Sequence, residues 1–149
     1  MKLSTKGRYG LKAMVDLAIH SQDKHIALRH IAERQDISEH YLEQLIAVLR
    51  KAGLVKSIRG AQGGYSLAVP PEEITVGDIL RALEGSLAPV DCVSENVTTE
   101  CAEWDCCVTR TVWKKIGDKI NEVVDSITLQ DLIKDYEKLN NDKEYMYYI

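Results

Sequence analysis

No apolar run in the 149 residues approaches the ~18 needed to cross a bilayer. The basic start, Met1-Lys2-Leu3-Ser4-Thr5-Lys6-Gly7-Arg8, leads into a charged segment and not an apolar stretch, so no secretory signal is expected. A cytoplasmic protein with no membrane partner follows as the expectation. No nucleophile–base pair, glycine-rich phosphate loop or paired-carboxylate motif occurs, which argues against an enzyme. Internal repeats and low-complexity linkers are missing too, so the chain reads as one core with a helical extension. Cysteine is absent except in one window, where Cys92, Cys101, Cys106 and Cys107 stand together. In a reducing compartment such a group points to metal or redox chemistry before disulfides. Four reduced thiols without a role are the bland alternative.

The acidic total hides an asymmetry. Residues 1–64 carry 11 Lys and Arg against 6 Asp and Glu, a net of +5; residues 65–149 carry 8 against 17, a net of −9; together they give the overall −4. A local basic surface suits a phosphate backbone, whatever the net charge of the whole chain.

Leu11, Met14, Val15 and Ala18 recur at helical spacing and predict a helix over 7–20. Leu28, Ile31 and Ala32 predict a short one over 28–34. Asp36-Ile37-Ser38 is a turn, with Ser38 the N-cap of a third helix over 38–51 that Gly53 ends. Residues 54–59 and 65–69 read as strands around the glycine-rich 60–64. Helix-turn-helix plus glycine-tipped hairpin is a winged helix. Thr75 caps the next helix through Glu84, Asp78 completes the capping box, and Gly85 stops it. Beyond the cysteines, Val108, Val112, Ile116, Ile120, Val123, Val124 and Ile127 form a stripe on a helix over 106–126, which calls for a partner helix. Thr128-Leu129-Gln130 opens a last short helix, and the end is aromatic. The expected fold is mainly α with a small β-hairpin wing: a winged helix-turn-helix head over 1–85, a cysteine-containing sensor loop over 86–107, and a dimerisation helix with tail over 108–149.

The third helix carries the DNA-binding reading. Ser38, Glu39, His40, Glu43 and Gln44 are polar and short enough to meet base edges in a major groove, where Glu accepts from cytosine and Gln pairs with adenine. Tyr41 belongs to the same motif. Arg59 at the wing root could enter a minor groove or hold phosphate, and the wing glycines, among them Gly60 and Gly63, let backbone approach the duplex. Lys2, Lys6 and Arg8, with Lys51 and Lys56, are candidate phosphate contacts. A winged helix that binds protein is the alternative.

Soft thiolates suit iron–sulfur clusters or zinc. The spacing Cys-x8-Cys-x4-Cys-Cys is no standard zinc pattern. Adjacent residues on a helix point about 100° apart, so one of Cys106 and Cys107 is expected to ligate with Cys92 and Cys101. The four histidines, at 20, 25, 30 and 40, lie outside the window and are expected at the surface.

Three segments, Leu3–Gly10, Ser38–Leu45 and Leu54–Tyr65, resemble the IscR/CymR-type winged-helix regulators of bacteria, and the resemblance runs over essentially the full length. It implies a homodimeric transcription regulator whose long helices cross at the interface, with base contact by Glu43 and Arg59. IscR-like members hold a [2Fe–2S] cluster on three cysteines and a histidine three residues after the last. Cys92, Cys101 and Cys107 match these, with Cys106 the alternative, and Arg110 stands where the histidine would be. Guanidinium is always protonated and cannot ligate iron ordinarily, so Cys106, Glu103, Asp105, the partner subunit or water are candidates for the fourth place. Zinc, or no metal, is the other reading. CymR-like members lack the triad and take cysteine synthase as corepressor. This chain shares their ending, whose Tyr148 and Ile149 are candidate synthase contacts if the polar stretch 140–143 lets the tail swing free; an apolar cap on its own dimer is the bland reading.

Overall fold

The structure is a computed structural model and describes residues 2–97 and 101–147. Helices α1 (Thr5–His20), α2 (Leu28–Gln35) and α3 (Glu39–Lys51) are followed by the hairpin β1 (Val55–Ile58) and β2 (Gly64–Leu67). Then come α4 (Val76–Glu84), α5 (Val108–Ser126) and α6 (Leu129–Tyr147), with single 3-10 turns at Pro71–Glu73 and Asp91–Val93.

The head is built on local signals that the sequence spells out. Asp36 takes the left-handed conformation (φ 51°) that turns α2 into α3. Ser38 Oγ accepts the Tyr41 N–H at 3.1 Å, filling one of the donors a helix start leaves open. Thr75 and Asp78 form the reciprocal capping box, both bonds at 3.0 Å. The strands pair antiparallel, Val55 with Leu67 through Ile58 with Gly64, and a bridge between Ile26 and Tyr65 adds a third edge. Gly60 lies at φ +118°, where side chains rarely go, and lets the chain reverse at the wing.

Met14, Leu17, Ile31, Leu42, Ile46, Leu49, Ile74 and Ile79 are wholly buried and form the core. Leu129 and Ile133 of α6 enter that same core. One anchor fastens α2 to α1: the buried Asp16 carboxylate accepts Arg34 Nε at 2.9 Å, Arg34 Nη2 at 2.7 Å and Gln35 Nε2 at 2.8 Å. A buried carboxylate is tolerated because three donors replace its water.

Two expectations from the sequence need correction. The last helix is 19 residues long, not short, and residues 140–143 lie inside it, so they provide no flexible joint for the tail. α5 begins at Val108, and Cys107 is its N-cap in extended backbone (φ −79°, ψ 104°). Cys106 and Cys107 therefore do not lie on a helix, where they would point about 100° apart.

α5 buries little: Gly117 is its one buried residue. Arg81 of α4 binds Asp125 through two bonds of 2.8 Å and Asn121 at 2.9 Å, which fixes α5 against the head. Val108, Val112 and Val123 remain exposed, and Ile116, Ile120 and Val124 are half-buried.

Candidate nucleic-acid interface and cysteine loop

Helix α3 divides into two faces. Leu42, Leu45, Ile46 and Leu49 face the core, which turns Glu39, His40, Glu43 and Gln44 outward. Gln44 Nε2 stands 3.3 Å from His40 Nε2, so these two exposed side chains are held as a pair one turn apart. Tyr41 is half-buried, its ring edge-on to Tyr9 of α1 at 6.2 Å. It spaces α3 from α1 and presents less surface than its neighbours. Arg59 leaves the end of β1 exposed, and it enters none of the ion pairs among the described residues. Gly60 accepts the Gly63 N–H at 3.0 Å, closing the wing turn beside it.

Lys2, Lys6 and Arg8 are exposed around the start of α1. That start is capped from far along the chain. Glu84 Oε1 accepts the backbone N–H of Ser4 at 2.9 Å and of Gly7 at 3.1 Å, and also the Ser4 hydroxyl. A carboxylate there also opposes the positive end of the helix dipole. Gly7 and Gly10 permit the close approach: a Cβ would stand 2.5 Å from Glu84 Oε1 at the first and 2.0 Å from Leu83 Cδ1 at the second. Sequence reasoning missed this clamp, as it missed Asp16 with Arg34.

All four cysteines are free thiols; Cys92 and Cys107 are half-buried, Cys101 and Cys106 exposed. Cys107 occupies the N-cap position of α5, and its thiol sits below its ordinary range because the Thr109 hydroxyl, 3.3 Å away, and the Arg110 and Thr109 N–H groups favour the thiolate. Among the described residues no three His, Cys, Asp or Glu side chains converge on a metal position. The donors therefore suit a soft metal by chemistry, but this conformation does not gather them. Cys92 lines a cavity of about 420 Å³ with Trp104, Arg110, Arg81, Lys114 and Asn121. Arg110, at the place of the fourth ligand, lies over the Trp104 ring, 3.9 Å from its centroid, and its buried Nε has no partner among the described residues. Tyr148 and Ile149 lie outside the described residues. No described helix is long and apolar enough to cross a membrane.

The family model described as "Rrf2: Iron-dependent Transcriptional regulator" matches residues 3–135. The transcriptional regulator CymR of Bacillus subtilis is 46% identical over 149 residues, covering 100% of both chains. A solved structure described as the global cysteine regulator CymR of B. subtilis superposes with a TM-score of 0.76 at 48% identity, over 90% of this chain and 97% of that one. The structure of T. potens IscR superposes with a TM-score of 0.78 at 54% identity, over 99% of this chain and 97% of that one.

Proposed function

The chain belongs to the Rrf2 family of transcriptional regulators, and from that premise we propose that it is a homodimer that controls cluster-assembly or sulfur-metabolism genes in response to a [2Fe–2S] cluster. Its relatives are DNA-binding regulators and not enzymes. The observation that carries the reading is the junction of two surfaces. An outward-facing set on α3 and the wing stands on the same head from which the cysteine loop departs, at Gly85, one residue after the Glu84 clamp.

In this reading Ser38, Glu39, His40, Glu43 and Gln44 meet base edges, with Tyr41 behind them. Arg59, Gly60 and Gly63 bring the wing to the adjacent groove, and Lys2, Lys6 and Arg8 neutralise phosphates. The exposed stripe of Val108, Val112 and Val123 is the surface that a two-fold related α5 would cover. Cys92, Cys101 and Cys107 would hold the cluster, which when bound supplies a redox-active iron–thiolate centre. Because the loop begins beside Glu84, its conformation bears directly on the α1 start and its three cations. The head over 1–85, the loop over 86–107 and the dimerisation segment over 108–149 divide the labour accordingly, the last of them rooted in the head's core by Leu129 and Ile133.

Anaerobic purification tests the cofactor. Visible absorption with equal amounts of iron and acid-labile sulfide is expected. A colourless protein containing zinc makes the site structural, and one with neither metal removes the cluster from the account.

A second reading draws on the cysteine regulator of B. subtilis. Tyr145, Met146 and Tyr147 at the end of α6 are 74%, 81% and 90% exposed, an apolar end with nothing covering it among the described residues. Together with Tyr148 and Ile149 it would bind cysteine synthase, which would act as corepressor. Calorimetry with the host's synthase decides this: binding that Ile149 deletion abolishes supports it, and no binding at micromolar concentrations ends it.

A further inference from the structure

The wing pairs with more than itself. In the antiparallel hairpin Ser66 stands opposite Lys56. On its other side, Tyr65 exchanges two 2.8 Å backbone bonds with Ile26, N–H to O in each direction. One step along that antiparallel bridge, His25 faces Ser66. His25, Ser66 and Lys56 thus form a cross-strand row on one face, neighbours at about 5 Å between Cβ atoms.

The middle of that row is unusual. Ser66 is 6% exposed, yet its Oγ has no hydrogen-bond partner among the described residues. His25 Nε2 is likewise buried and unpartnered. A buried polar atom without a partner is destabilising, and two such atoms in one place ask for something to bond. Both residues line one open cavity of about 440 Å³. Lys24 and Lys56 stand at its edge, neither engaged in an ion pair among the described residues, and Asp23 is the one carboxylate there. Ala18, Leu67 and Val69 supply apolar wall.

We propose that this cavity binds a small oxyanion, the carboxylate, sulfate or phosphate group of a small metabolite. The Ser66 hydroxyl and the ammonium groups of Lys24 and Lys56 line the cavity as available donors, and the imidazole adds another in the tautomer or charge state that protonates Nε2. Two ammonium groups against one carboxylate favour an anion over a metal cation. A dry apolar filling would leave both polar atoms unsatisfied. An anion held there ties the 21–25 link to both wing strands, and Arg59 rides on the end of one of them. The site lies away from the cysteine loop and the outward face of α3 and shares only Lys56 with the candidate phosphate contacts, so Ser66→Ala, which touches no such contact, keeps its test apart from the reading above.

The full chain is titrated with inorganic phosphate, sulfate and acetate, each against chloride at equal ionic strength. Saturable heat with at least one of them is expected, together with a rise in melting temperature that follows mass action. Ser66→Ala should weaken it by roughly tenfold, the loss of one hydrogen bond to a charged group. Lys56→Gln, which leaves the interior untouched, should weaken it comparably. If none of the three anions binds beyond chloride, the cavity holds only water and the proposal is overturned. Binding that both variants leave unchanged lies elsewhere and overturns it equally.

Discussion

Glu84 caps α1 through its N-cap residue Ser4: its Oε1 takes the Ser4 backbone N–H at 2.9 Å across eighty residues of chain. The Ser4 side chain itself makes no capping bond to its own helix. The last residue of α4, next to the root of the cysteine loop, therefore sets where α1 starts and where Lys2, Lys6 and Arg8 stand.

Replacing Glu84 with alanine should cost about 1 kcal/mol of stability, the usual value of a helix cap, read as a lower denaturant midpoint. DNA affinity should fall as well, and the salt slope should shrink by about one phosphate contact. Glu84→Gln keeps an acceptor and should recover most of the stability. A folded Glu84→Ala protein with unchanged DNA affinity and salt slope would show that the clamp only stabilises.

Arg59→Ala should weaken operator binding by ~1–3 kcal/mol and flatten its sequence preference. Arg59 is exposed and outside every ion pair among the described residues, so its loss should leave the melting temperature nearly unchanged. Equal affinity of the variant at physiological salt would remove it from the interface.

The cysteines should separate by single substitution to alanine. Visible absorption should be lost at Cys92, Cys101 and Cys107 and kept at Cys106, whose exposed Sγ turns back to the Glu103 carbonyl at 3.6 Å. A bleached Cys106→Ala beside a coloured Cys107→Ala would move the ligand register by one.

Acid should loosen α5. Hydrogen bonds from Arg81 hold the Asp125 carboxyl below the usual carboxylate range. Its folded pKa is depressed, so its contribution is present above the unfolded value near 3.8 and is lost as pH falls through the folded one. Partial exposure and salt screening keep it small. Asp125→Asn should remove this part of the acid sensitivity, measured as melting temperature from neutral pH downward. Identical pH profiles for the variant and the parent would contradict it.

Local signals explain what the sequence made legible. Ser38, the Thr75–Asp78 box and the wing glycines act over three or four residues, so the head could be read almost element by element. The length of α6 was missed because Asn140-Asn141-Asp142 are weak helix formers. Its apolar spacing through Leu132, Tyr136 and Leu139 was the available clue. The Glu84 clamp, the Asp16–Arg34 anchor and the row of His25 with Ser66 and Lys56 join distant segments, and no spacing encodes them. Arg110 was visible as a departure from the cluster pattern, but its stack on Trp104 required the fold.

If the protein is a DNA-reading dimer under control of the cysteine loop, selection from a random duplex library with purified cluster-loaded and cluster-free protein should enrich a two-fold symmetric site, bound by two chains per duplex, with affinity that differs between the two forms. No enrichment over the starting pool in either form, or the same affinity in both, would contradict it.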